Sequence, residues 1–273
     1  TGWSWNGGRL THECFFRAGY CAQNTNERET RPMVAYDQYH STLEKRFLGT
    51  TIAEGQSRTT ADLKVALDTL FNHPNVGPFI GRQLIQRLVT SNPSPAYVRR
   101  VASAFNNNGQ GVRGDMKAVI RAVLLDEEAR GDNARKQPSF GRIREPVLRF
   151  THLMRALEAS SRTGYWGIGR TDVPGNLNQT AMRAPSVFNF YRPGYSPAGT
   201  PVARAGLVAP EMQITQESSV AGYADYLDRF VGGTSIYIVG LGDMIPHPDG
   251  ERHSGGQARE IKFNIEPLIA KAN

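Results

Sequence analysis

The strongest constraint on the fold is a run of four amphipathic stretches between residues 59 and 130, each closed by proline, asparagine or glycine. Leu63, Ala66, Leu67, Leu70 and Phe71 recur at helical spacing, so one apolar face is expected to turn inward. Asp62, three residues after Thr59, suits the first turn of that helix, where a carboxylate meets the positive end of the dipole. Asn72, His73, Pro74 and Asn75 stop it. Pro78 opens a second helix carrying Ile80, Leu84, Ile85, Leu88 and Val89, with Arg82, Gln83, Gln86 and Arg87 on the other side. Ser94 and Pro95 form a cap and first turn for a third, with Tyr97, Val98, Val101, Ala102 and Phe105 inward. Gly114 and Asp115 precede a fourth, with Met116, Val119, Ile120, Val123 and Leu124. Helices this short are unstable alone in water, so they must pack on one another.

After residue 130 the pattern thins. Residues 131–141 form a polar loop, and Pro146 starts a fifth helix over residues 142–157. Glu145 at its start follows Arg142 and Arg144, either as a charge-paired cap or as part of an ion-pair cluster lining a cleft. Residues 165–209 lose periodicity and are dense in Gly, Pro, Asn and aromatics. A segment of that length in a compact domain is functional or wraps a surface. Phe188, Phe190, Tyr191 and Tyr195 could line a groove there, with Asn189, Arg192 and Arg144 as polar contacts. A sixth helix is expected over residues 210–231, with Glu211 in its first turn, and a last one over residues 258–271. The expected architecture is mainly α: an irregular bundle of about seven short helices with long aromatic- and Gly/Pro-rich loops. Residues 1–58 are expected to be a loop-rich segment packed on a helical domain of residues 59–273, whose residues 59–130 are the scaffold.

Composition narrows the function. The formal net charge is +7, and only six of the 32 basic residues are Lys. Arg suits carboxylate, phosphate and sulfate recognition. The positive charges are interleaved with acids and form no block, which gives nucleic-acid binding little support. No apolar run reaches the roughly 18 residues of a membrane span, and no signal peptide is visible. Cys14 and Cys21 can close a small disulfide loop in an oxidising compartment.

Other candidate chemistry is sparse. His40 and Glu44 would share a face if their turn were helical, as a metal pair or an acid/base couple. His247, Asp249, Glu251 and His253 alternate and could face a divalent metal in an extended strand, although Pro248 and Gly250 favour a solvated turn. No cofactor motif, nucleophile elbow or phosphate loop is present.

Several ordered segments carry a family resemblance. They are Lys45 to Gly49 after His40, His73 to Val76 with Pro78, Phe79 and Ile80, Leu88 to Pro95, Gly111 to Asp115, Arg144 to Pro146, Ser186 to Phe190, and Leu207 to Glu211. In this order they resemble the bacterial family labelled domain of unknown function 1800, over nearly the whole chain except residues 232–257. The resemblance implies a mostly helical, exported protein, periplasmic, cell-surface or extracellular. It also implies that members are often encoded beside a second exported family similar to sulfatases. It brings no established activity and no catalytic residue. It further implies helical regions before and after this chain, which is then expected to be a central and carboxy-terminal piece.

Two functions fit these features. The first is an extracytoplasmic binding or structural component that recognises an acidic polymer, a glycan or a protein partner, with a homo-oligomer or larger assembly compatible with it. The second is a hydrolase acting on a polymer or an ester. There Glu145 and Glu211 would serve as an acid/base pair, Arg144 and Arg192 as anion holders, and His40 or His73 as base.

Overall fold

A computed structural model describes residues 2–6, 11–16, 31–161, 166, 168–231, 261–264 and 269–270. The fold is mainly α, with three two-stranded antiparallel ribbons among the described residues. The chain divides into two compact units, Thr1–Phe79 and Ile80–Asn273.

In the first unit β1 (Trp3–Ser4) pairs with β2 (Val34–Ala35), and α1 (His12–Phe16) lies between them in sequence. The aromatic residues of this region pin it to itself. Phe15 lies 4.5 Å from Tyr39 and 5.4 Å from Tyr36, centroid to centroid, and the Tyr36 hydroxyl donates to the Trp5 carbonyl at 2.6 Å. A hairpin follows, β3 (Lys45–Phe47) and β4 (Thr50–Ile52). Its turn holds Leu48 at φ 47° and Gly49 at φ 80°, two consecutive left-handed residues as a tight right-twisting hairpin requires.

The first scaffold helix, α2 (Thr59–Asn72), belongs to this unit rather than to the helical body. The division between the two units falls after Phe79. The reason is polar. Thr59 and Asp62 are buried, and the Thr59 amide is capped by Asp37 from 22 residues upstream, at 2.8 Å. The helix turns this polar edge inward. Leu63, Leu67, Leu70 and Phe71, expected to be buried, are exposed.

The boundary between the units falls within α3 (Val76–Leu88). In the second unit α4 (Pro95–Asn106) and α5 (Met116–Leu125) follow; the cap of α4 is the expected Ser94, and α5 is capped by Asp115, one of the two residues expected to precede it. Ser94 Oγ accepts from the Tyr97 amide, and the Asp115 carboxylate accepts from the amides of Lys117 and Ala118. Ile85, Tyr97, Val101, Ala102, Phe105, Val119 and Val123 form their core, each of the larger side chains contributing roughly 1.5–3 kcal/mol. Gly81 permits close helix packing, since a Cβ there would lie 3.0 Å from Val101 Cγ1. A short α6 (Glu127–Arg130) is tied back to α4 through Arg100, whose guanidinium grips Asp126 with two bonds of 2.7 Å.

Beyond the polar loop, α7 (Pro146–Ala156) begins at the expected proline. The four-residue α8 (Pro201–Arg204) interrupts the long irregular segment. The helix expected over residues 210–231 is broken in two: a 3-10 turn at Pro210–Ile214, then α9 (Glu217–Val231). Ser219 makes the break, its one hydroxyl hydrogen shared between Ile214 O and Gln216 O while its oxygen accepts from the Gln216 amide. A second core joins Phe150 of α7, Leu177 of the irregular segment and Tyr226 of α9. Within the expected last helix, Ile261–Lys262 instead pair as β6 with β5 (Ser160–Ser161).

Candidate functional site

The second unit holds a small open cleft lined by Gln83, Gln86, Arg87, Tyr191, Pro193, Pro210 and Glu211. Three elements build it. The last turns of α3 bring Gln86 and Arg87, the irregular segment brings Tyr191 and Pro193, and the 3-10 turn brings Glu211. Its volume is about 10 Å³, enough for roughly one water molecule.

Gln86 is 3% exposed. Its Nε2 donates to Ser91 O at 2.9 Å and to Pro193 O at 3.1 Å. Two carbonyl acceptors occupy both amide hydrogens, so the orientation of the amide is fixed. Oε1 is then an acceptor, and no donor meets it among the described residues. Glu211 is 1% exposed. Its Oε1 lies 3.8 Å from Arg142 Nη1, and its Oε2 is buried with no hydrogen-bond partner among the described residues. Burial pushes this carboxyl above its ordinary value; its own backbone amide, Arg142 and Arg87 oppose the shift only in part, and Glu145 adds to it. Leaving a buried acceptor unmet costs about 1–3 kcal/mol, so two at one cleft are a feature to explain.

Arg87 lies over the Tyr191 ring at 4.1 Å. Tyr191 is buried, and its hydroxyl donates to Glu145 Oε2 at 2.9 Å. Burial, followed by the charge of Glu145, pushes the phenol well above its ordinary value. Gln179 Nε2 also donates to Glu145 Oε2, at 2.6 Å, while Gln179 Oε1 accepts from the Val147 amide at 3.1 Å. Glu145 thus props the platform on which Arg87 stacks.

Of the residues expected at a site, Glu145, Tyr191 and Glu211 come together. The Arg pair expected around Glu145 does not form: Arg142 turns to Glu211, and Arg144 is exposed. Arg192 is exposed too, and its backbone amide is held by Gln213 Oε1 at 2.8 Å. Asn189 serves its own turn at φ 70°, accepting from the Phe190 amide at 2.9 Å, and Phe188 is exposed. Gln86 and Arg87 were expected on the outer side of their helix. Residues 191–193 cover that side, joined to Gln86 across 107 positions of chain, a pairing no local pattern announces.

In the first unit His40 does not pair with Glu44, because residues 40–44 are not helical; Glu44 pairs with Arg46 at 2.7 Å. His40 Nε2 lies instead 2.7 Å from Asp62 Oδ2, and Lys45 Nζ lies 2.9 Å from the same oxygen. Lys45 also donates to Ser57 Oγ at 2.6 Å. His73 is the C-cap of α2, and its Nδ1 accepts from the Asn75 amide at 3.2 Å. The alternating set His247, Asp249, Glu251 and His253 lies outside the described residues, as does Cys21; Cys14 is buried. Among the described residues no group of three or more His, Cys, Asp or Glu is placed to hold a metal ion, and no helix is long and apolar enough to cross a membrane.

A family model described as "Protein of unknown function (DUF1800)" matches residues 1–245. The chain belongs to this family. All seven motif segments noted in the sequence fall inside the match, and so does every residue of the cleft. No curated protein and no solved structure matches the chain.

Proposed function

We propose that this DUF1800 protein is an exported binding component that recognises an acidic polymer, whose anionic group docks on Arg87 at the cleft. One observation carries this. Arg87 lines the cleft stacked on Tyr191, yet its guanidinium makes no hydrogen bond or ion pair among the described residues. A planar cation fixed by stacking, with its donor edges unused, suits a carboxylate or sulfate. The cleft is far smaller than the roughly 300–1,000 Å³ of a pocket that encloses a ligand. Recognition of a projecting group on a larger molecule fits that size better than capture of a free metabolite.

A hydrolase has less support from the same geometry. The carboxylate oxygen that Glu145 turns toward Tyr191 is already engaged by Gln179 and the phenol.

Affinity electrophoresis through gels containing polygalacturonate or dextran tests the proposal. The acidic polymer should retard the protein and dextran should not, with the retardation fading toward about 0.5 M salt as charges are screened. Arg87→Gln should weaken binding by about tenfold or more. An unchanged mobility on acidic polymers, or a variant that binds as well as wild type, would sink it. Export is checked by cell fractionation. In that compartment Cys14 and Cys21 would be joined, and alkylation would label them only after reduction.

A further inference from the structure

We infer that the cleft reads a hydroxyl beside the anionic group, so that the unit recognised is a hydroxy acid of the uronic type. This rests on the anion-docking function proposed above and deepens it. Gln86 Oε1 and Glu211 Oε2 are two buried oxygens with no hydrogen-bond partner among the described residues, and both residues line the space beside Arg87. The orientation of Gln86 is not negotiable, because Ser91 O and Pro193 O take both of its amide hydrogens. A donor, supplied by a water or by a ligand that displaces it, would complete these atoms.

Three properties select the donor. The space holds about one water-sized group, a volume of about 10 Å³. A hydroxyl matches that; a peptide N–H, with carbon on either side, does not. Arg87 at the cleft and Arg142 beside Glu211 oppose the entry of an ammonium, and burial, by favouring the neutral form of Glu211, weakens the counter-charge that would draw one in. A hydroxyl can also both donate and accept, giving its hydrogen to Gln86 and receiving one from a neighbour. With the anionic group on Arg87 and the hydroxyl inside, the ligand carries both on one unit.

The experiment is calorimetric titration of the full chain with three monomers: D-galacturonate, cyclohexanecarboxylate, which keeps the acid and the ring without hydroxyls, and methyl galactoside, which keeps hydroxyls without the acid. Galacturonate should bind about tenfold tighter than cyclohexanecarboxylate, and methyl galactoside should be weakest. In Gln86→Leu the ratio of the two acids' affinities should fall to about one; because Gln86 also holds Pro193 O, that ratio, and not either affinity alone, is the readout. The wild-type comparison stands by itself should the variant not fold. Equal affinity for the two acids overturns the hydroxyl inference and leaves the anion-docking function intact. Binding of neither acid overturns both, and leaves the cleft as a seat for an ordered water only.

Discussion

Replacing Asp62 with alanine should destabilise the first unit by about 2–4 kcal/mol. Asp62 and His40 have side chains only 8% and 9% exposed, and Lys45 is 25% exposed. Removing the carboxylate leaves the ammonium and the imidazole facing a partly buried gap. Breaking a buried pair costs about 3–5 kcal/mol, and the solvent that reaches Lys45 reduces this somewhat. Burial alone would raise the Asp62 pKa. His40, Lys45 and the Arg58 amide outweigh it and hold the carboxyl near 2, down from 3.8. The sign follows directly. A carboxylate depressed in the folded state stabilises it fully above pH 3.8 and loses that contribution as pH falls through about 2. The wild-type advantage over Asp62→Asn, followed by hydrogen exchange in α2 between pH 5 and pH 2, should shrink by about 2 kcal/mol. An advantage independent of pH would assign Asp62 a packing role instead.

This network also shows where local sequence reasoning stops. The caps at Ser94 and Asp115 lie within three residues of the amides they serve, so a short window contains both partners. The amide of Thr59 is served by Asp37, and Asp62 by His40 and Lys45, across turns and a hairpin that no periodicity registers. The apolar pattern of α2 was legible, but the direction it faces was not, because buried charge pairs fixed the other edge inward. The cleft divides in the same way. Glu145, Tyr191 and Glu211 stood out as carboxylates beside prolines and as an aromatic in a long irregular segment. Gln86 and Arg87 looked like the polar side of an ordinary helix, and only the return of residues 191–193 over that side gives them a role. Arg144, Asn189 and Arg192 had the right chemistry by type, but their side chains face solvent.

Gly222→Ala is expected to lower the stability of the second unit by about 1–3 kcal/mol or more. Two effects oppose each other at this position. Alanine gains up to about 1 kcal/mol over glycine in a helix interior. Against that, a Cβ at Gly222 would sit 2.6 Å from Gly175 Cα and 2.7 Å from Gly175 C, and would also meet the Pro174 carbonyl. These are backbone atoms and cannot rotate aside, so α9 or residues 174–175 must move. The consequence reaches the cleft through packed neighbours. Tyr226, one turn further along α9, stacks edgewise on Phe150 with centroids 5.2 Å apart, packs with Leu177, and donates to Ile168 O at 2.7 Å. Leu177 is two residues from Gln179, which holds both the Glu145 carboxylate and the Val147 amide. Displacing α9 should therefore quicken hydrogen exchange at the Val147 amide and weaken binding of an acidic ligand, though less than Arg87→Gln does. A melting temperature equal to or above that of wild type would mean that helix propensity wins and that α9 does not lie against Pro174 and Gly175 as closely as the structure has it. A lowered melting temperature with unchanged exchange at Val147 would confine the effect to α9 and separate the cleft's support from this core.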